Sequence, residues 1–243
     1  MQILGIIPAR YASTRFPGKP LVDIAGKSMI QRVYEQAKKC SQLSEVIVAT
    51  DDDRIFEHVH GFGGKAVMTS SAHQSGTDRC AEVAEKYPDY DVIINIQGDE
   101  PYIDPEQIGK LISCFDDVGT QIATLVKKVS NEQELHNTNS PKVIINKNLE
   151  AIYFSRSPLP HIRGQESQNW LPHFTYYKHI GIYGYRADVL KQITKLPVSS
   201  LEKAESLEQL RWVENGYKIK VAETEIETIA IDTPEDLEKL SEL

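Results

Sequence analysis

The 243-residue chain carries 27 Lys and Arg against 35 Asp and Glu, a formal net charge of −8. A nucleic-acid partner would be repelled unless a basic face were segregated, and only one short basic loop qualifies. A chain of this length buries roughly 70–75% of its unfolded surface as one large domain and needs no covalent staples. Its 3 cysteines, Cys40, Cys80 and Cys114, form no C-x-x-C pair. That pattern points to free thiols filling the core in a reducing compartment, and away from zinc. No apolar run reaches the roughly 18 residues of a membrane span, and Met1-Gln2-Ile3-Leu4-Gly5 lacks a cationic n-region, so a cytoplasmic protein without membrane insertion is expected.

The first apolar run, Ile3 to Ile7, gives way at Pro8-Ala9-Arg10 to a loop that also holds Arg15 and Lys19. Pro8, Pro17, Gly18 and Pro20 forbid a helix between these cations, so they sit on a shaped loop suited to polyphosphate. A solvated loop with chance basic residues is the alternative, but it does not explain three cations without an intervening carboxylate in an acidic chain. Ser28 and Gln31 have capping-box spacing before Met29, Ile30, Val33, Tyr34 and Ala37, which predicts a helix. The strand Val46 to Ala49 leads into Asp51-Asp52-Asp53. This D-x-D spacing is used for metal by nucleotide-sugar glycosyltransferases, yet acidic residues at a helix start need only the dipole to explain them. His58 and His60, two apart on that helix, face different ways and cannot chelate together.

After a short strand at Ala66 to Met68 comes Gln74-Ser75-Gly76-Thr77-Asp78-Arg79. Gly76 would admit backbone close to a ring and Thr77 would start the next helix; a plain turn with an N-cap explains Ser75 to Thr77 equally well. The strand Val92 to Ile96 ends in Gln97-Gly98-Asp99-Glu100-Pro101, which puts Asp99 at the carboxyl edge where open α/β sheets bind ligands. Asp104-Pro105-Glu106-Gln107 starts a further helix, and Ile122 to Val126 is a fifth strand. Strands alternating with amphipathic helices predict a parallel sheet covered on both faces, a Rossmann-like three-layer α/β/α fold, although no G-x-G-x-x-G marks a dinucleotide site.

From about 131 to 187 the pattern turns β-rich, with Val143 to Ile145, Ala151 to Phe154 and Ile180 to Tyr183 separated by long polar connections, as expected of a smaller inserted lobe in a single domain spanning 1–243. The stretch from Pro158 to Pro172 is too long for a mere connection, so it is a lid or a piece packed on another subunit. Leu201, Ala204, Leu207 and Leu210 outline a helix with Glu208 and Gln209 on its wet face. Thr228 to Ile231 reads as a strand delivering Asp232, with Thr233 capping the last helix. Asp232 could serve that cap and its dipole alone, or bind a divalent ion.

The loop IPARYASTRFPGKPL, together with SGTDR (75–79), QGDEP (97–101), YFSR (153–156), HIGIYGY (179–185), LEQLR (207–211) and IDTPED (231–236), resembles the 3-deoxy-manno-octulosonate cytidylyltransferase (CMP-Kdo synthetase) family, with its motifs in order along the whole chain. The resemblance implies a nucleotidyltransferase fold and transfer of CMP from CTP to the anomeric hydroxyl of 3-deoxy-D-manno-octulosonate (Kdo), a 3-deoxy-2-keto sugar acid, for lipopolysaccharide biosynthesis. It implies Mg²⁺ on Asp99 and Asp232, with Arg10, Arg15 and Lys19 offsetting phosphate charge. Pro8, Ala9, Arg10, Lys19, Gln74, Ser75, Gly76 and Arg79 would hold the nucleotide. Gln97, Arg156, His179, Tyr183, Glu208 and Gln209 would hold the sugar acid, and two copies would pair through the β-rich lobe. Activation of 8-amino-Kdo or a sialic-type acid is a related alternative, and a D-x-D glycosyltransferase a more distant one. Loss of either aspartate would mark a nucleotide-sensing module without chemistry; both are present.

Overall fold

A computed structural model describes residues 1–12, 16–227 and 229–240, the last three as backbone only. In chain order its elements are β1 (Ile3–Ala9), β2 (Asp23–Ile24), β3 (Lys27–Ser28), α1 (Met29–Lys38), β4 (Glu45–Thr50), α2 (Asp53–Gly61), β5 (Ala66–Met68), α3 (Gly76–Lys86), β6 (Val92–Asn95) and α4 (Pro105–Ser113). There follow β7 (Ile122–Lys128), α5 (Glu132–His136), β8 (Lys142–Ile145), β9 (Ala151–Ser155), β10 (Tyr177–Arg186), α6 (Ala187–Ile193), α7 (Ser200–Glu205), α8 (Gln209–Glu214), β11 (Ile219–Glu223) and α9 (Pro234–Leu240). No helix among the described residues is long and apolar enough to cross a membrane.

The main sheet runs β11-β7-β10-β6-β1-β4-β5. All neighbours are parallel except β10, which is antiparallel to both β6 and β7. The five strands predicted through Val126 are present, and the apolar residues of β1, β4, β6 and β7 are buried on both faces as a helix-covered parallel sheet requires. One face packs on α1, α2 and α4 through Ile30, Val33, Ile55 and Ile108. The other packs on α3, α6 and α8 through Val83, Leu190 and Leu210. From β1 the chain winds outward to β4 and β5, then returns to β6 on β1's other side, so the switch in winding falls between β1 and β6, where the loops after both strands part to leave a crevice.

The 131–187 region contributes α5, β8, β9 and β10. Strands β8 and β9 form a hairpin added to the outer part of β10, whose remaining residues, Tyr183 to Arg186, lie in the main sheet beside β6. The long 156–176 stretch packs Trp170 and Tyr176 on Val129, just after β7, and on Leu135 of α5, and the Tyr176 hydroxyl donates to the Pro160 carbonyl at 2.7 Å.

The caps follow the sequence with small differences. Ser28 Oγ accepts from Gln31 N at 3.2 Å, but the Gln31 amide turns to Glu35, so only half of that capping box forms. Asp52 caps α2 and Asp104 caps α4. Helix α3 starts one turn-position earlier than expected: Ser75 is its N-cap, in a complete box with Asp78, and Thr77 lies within it. The helix outlined by Leu201 to Leu210 is two helices, because Ser206 adopts φ 52° and ends α7. No strand forms at 229–231; Thr228 lies outside the described residues. Instead, Ile231 N donates to the Asp99 carbonyl at 2.9 Å while its side chain is buried against Ile24 and Met29.

Candidate active site

The crevice at the switch point holds a cavity of about 360 Å³ lined by Pro8, Arg10, Lys19, Gly76, Gln97 and Asp99, among others. Its walls approach because two of its residues lack side chains. A Cβ on Gly98 would lie 2.8 Å from the Pro8 carbonyl oxygen, and one on Gly76 would lie 3.1 Å from Pro8 Cγ. The loops after β1 and β6 and the start of α3 therefore close on Pro8. Gly18 N donates to the Tyr11 carbonyl at 2.9 Å, closing the basic loop at its base. The Arg54 guanidinium covers the Tyr11 ring at 3.3 Å. Arg10 Nη2 donates to the His73 carbonyl at 2.7 Å, which ties the loop to the segment before α3.

The two aspartates, 133 positions apart by number, meet across one cation. Lys19 Nζ is 2.8 Å from Asp99 Oδ2 and 3.3 Å from Asp232 Oδ1. The backbone bond from Ile231 to Asp99 brings the second carboxylate there, and Asp236 Oδ2 fixes the turn by accepting from the amides of Asp232 and Thr233 at 3.1 and 3.0 Å. Two carboxylates around one positive group, beside a cavity of about 360 Å³, are the hard-oxygen donor set that Mg²⁺ takes when it also keeps waters and phosphate oxygens. The lysine ammonium stands where such an ion would be charge-balanced, so the residues present fit the ion.

A second cavity of about 420 Å³ shares Gln97 and Asp99 with the first and extends to Asn139, Ser140, His179 and Glu227. It opens at a β-bulge in β10, where the register slips between Ile180 and Tyr183. Thr124 Oγ1 fills the bulge, donating to the Ile182 carbonyl at 2.7 Å and standing 2.9 Å from His179 Nε2. Burial beside Phe154 and Tyr183 pushes the His179 pKa down to about 3, so the ring is neutral at any working pH.

Glu208 is half-buried at the head of α8 and accepts from Thr77 Oγ1 at 2.6 Å. Burial raises its pKa, and the hydroxyls of Thr77 and Ser75 oppose that shift. Tyr183 and Gln209 are nearly buried, Tyr183 edge-on to Trp212. These three sit behind the cavities, on the α3 and α8 side of the sheet, and Gln74 is exposed just before α3, its amide donating to the Ala72 carbonyl at 3.0 Å.

Two predicted residues lie elsewhere. Arg79 is fully buried on the inner face of α3, bonded to Thr69 Oγ1 and 3.3 Å from Asp51; its charge is matched inside the fold and it does not line the first cavity. Arg156 spends its guanidinium on the carbonyls of Glu205, Ser206 and Thr138 at 2.7, 3.2 and 2.9 Å, capping the end of α7 and holding the 137–141 loop. Arg15 lies outside the described residues. In the D-x-D run, Asp51 is held by Arg79, the intervening Asp52 caps α2 and pairs with Arg54, and Asp53 stands exposed in the first turn of α2. Sequence reasoning missed Asn139, Ser140 and Glu227; the polar cluster Asn137-Thr138-Asn139-Ser140-Pro141 was the available signal.

Residues 4–221 match the cytidylyltransferase family, and the chain belongs to it. The chain is 65% identical over 244 residues to the 3-deoxy-manno-octulosonate cytidylyltransferase of Parabacteroides distasonis, covering 98% of this chain and 96% of that protein. It is 59% identical over 246 residues to the enzyme of the same name from Bacteroides thetaiotaomicron, covering 100% and 98%. The solved structure of a CMP:2-keto-3-deoxy-manno-octonic acid synthetase complexed with CTP superposes with a TM-score of 0.92 at 45% identity, covering all of both chains. Within the cytidylyltransferases, the family is thus that of the 3-deoxy-manno-octulosonate enzymes.

Proposed function

We propose that this chain transfers CMP from CTP to the anomeric hydroxyl of Kdo, giving CMP-Kdo and pyrophosphate, in the cytoplasm and as a homodimer that supplies lipopolysaccharide assembly. The observation that carries the reading is the meeting of Asp99, Asp232 and Lys19 where the nucleotide-sized cavity and the second cavity share a wall. CTP would occupy the first cavity, its base near Pro8, Ala9 and the Gln74 to Gly76 segment. The sugar acid would occupy the second, its hydroxyls facing Gln97 and His179, with Tyr183, Glu208 and Gln209 behind.

The hydroxyl oxygen attacks the α-phosphorus as the bond to the α–β bridging oxygen breaks, and pyrophosphate leaves with that electron pair. Mg²⁺ held by Asp99 and Asp232 would neutralise the α-phosphate and lower the hydroxyl's pKa. Arg10, Arg15 and Lys19 would offset charge on the departing phosphates, and Asp99 would take the hydroxyl proton through a water. Positioning and electrostatics supply most of the acceleration.

The test is pyrophosphate release over a panel of sugar acids. Release should require CTP, Mg²⁺ and Kdo together; preference for 8-amino-Kdo or a sialic-type acid would move the substrate, and release independent of any sugar acid would remove the reading.

A further inference from the structure

We propose that Lys19 is a displaceable occupant of the divalent-cation seat: its ammonium holds Asp99 and Asp232 together before substrate arrives, and moves to the phosphates when metal and nucleotide enter. This rests on the metal reading above and adds an exchange step to it. The geometry supports occupancy over mere proximity. Lys19 Nζ is in contact distance of both carboxylates, 2.8 Å from Asp99 and 3.3 Å from Asp232, and the side chain is only 15% exposed. Two carboxylates brought together by the backbone bond between Ile231 and Asp99 would repel unless a cation lay between them. Lys19 also lines the cavity assigned to CTP, so phosphate oxygens can recruit the same ammonium on a flexible four-carbon stem.

An ammonium and a divalent ion cannot share one seat, so the empty enzyme should bind metal weakly and the metal–nucleotide complex well. The apparent affinity for metal alone is lowered by the fraction of time the seat is open. The seat would thereby favour ion arriving with CTP over ion alone.

The probe is Mn²⁺ binding without nucleotide, read from the free-ion electron paramagnetic resonance signal, on wild type, Lys19→Met, Arg10→Met and Asp99→Asn. Lys19→Met should bind Mn²⁺ about tenfold more tightly than wild type, while Arg10→Met, which removes a cation from the same cavity that touches neither aspartate, should change little. Unchanged or weaker binding in Lys19→Met, or equal tightening in Arg10→Met, would overturn the proposal. Wild-type Mn²⁺ affinity in Asp99→Asn would instead overturn the metal reading itself. Lys19→Gln gives the same comparison should Lys19→Met fail to fold, and Mn²⁺ should raise the melting temperature of either variant more than that of wild type.

Discussion

His179 shows how a side chain's neighbours decide its chemistry. A histidine lining a polar cavity invites assignment as an acid or base, but with its pKa pushed down to about 3 it stays neutral and offers one donor and one acceptor nitrogen. A group that binds its proton more weakly folded than unfolded contributes stability above its unfolded pKa of about 6.5, and that contribution is lost as pH falls from there toward about 3. The unfolding free energy of wild type should therefore fall more steeply over that range than that of His179→Gln; parallel denaturant titrations of the two would contradict the neutral-ring assignment. At this scale the sequence announced Asp99 and Asp232 through strand-end and helix-start positions, and the structure brings them together. It could not announce Arg79 or Arg156, because their partners, Asp51 and the carbonyls at the end of α7, are distant in the chain and leave no local pattern.

The elements that shape the first cavity, the one proposed to take CTP, are a capped helix and two close-packed loops. Replacing Ser75 by alanine removes the acceptor for Asp78 N at 3.1 Å. It should cost about 1 kcal/mol of stability by denaturant unfolding and weaken CTP binding, since α3 begins on the cavity wall. Gly98→Ala should do more, because its new Cβ meets the backbone carbonyl of Pro8 at 2.8 Å, which no rotamer change relieves. CTP affinity measured by calorimetry should drop along with the melting temperature; wild-type values for both would show that the loops are not in contact. Strands and caps were readable because short continuous apolar runs and N-cap chemistry are local. The break at Ser206 was not, since an αL residue other than glycine carries little signature, and neither was the approach of Ile231 to Asp99, a single hydrogen bond without strand periodicity.

Across the whole molecule, the winding order was legible in the succession of strands and helices, and it places the crevice between β1 and β6. The antiparallel β10 was harder to foresee: it carries the 131–187 region into the main sheet, so one strand serves both. Beyond it, β9 pairs with β8 alone among the named strands and exposes Ile152 at 53%, an edge suited to the proposed dimer. Sedimentation velocity should find a dimer that Ile152→Asp weakens by tenfold or more, about 1.4 kcal/mol; a wild-type monomer would remove the homodimer. The deepest commitment is that one ion is shared by two carboxylates far apart in the chain, Asp99 and Asp232. The most direct test is a double-mutant cycle on the rate of pyrophosphate release with Asp99→Asn, Asp232→Asn and both together. A shared ion requires each single change to lower the rate by about 10² or more and the double to fall little further. Losses that multiply, or activity retained in either single variant, would contradict it.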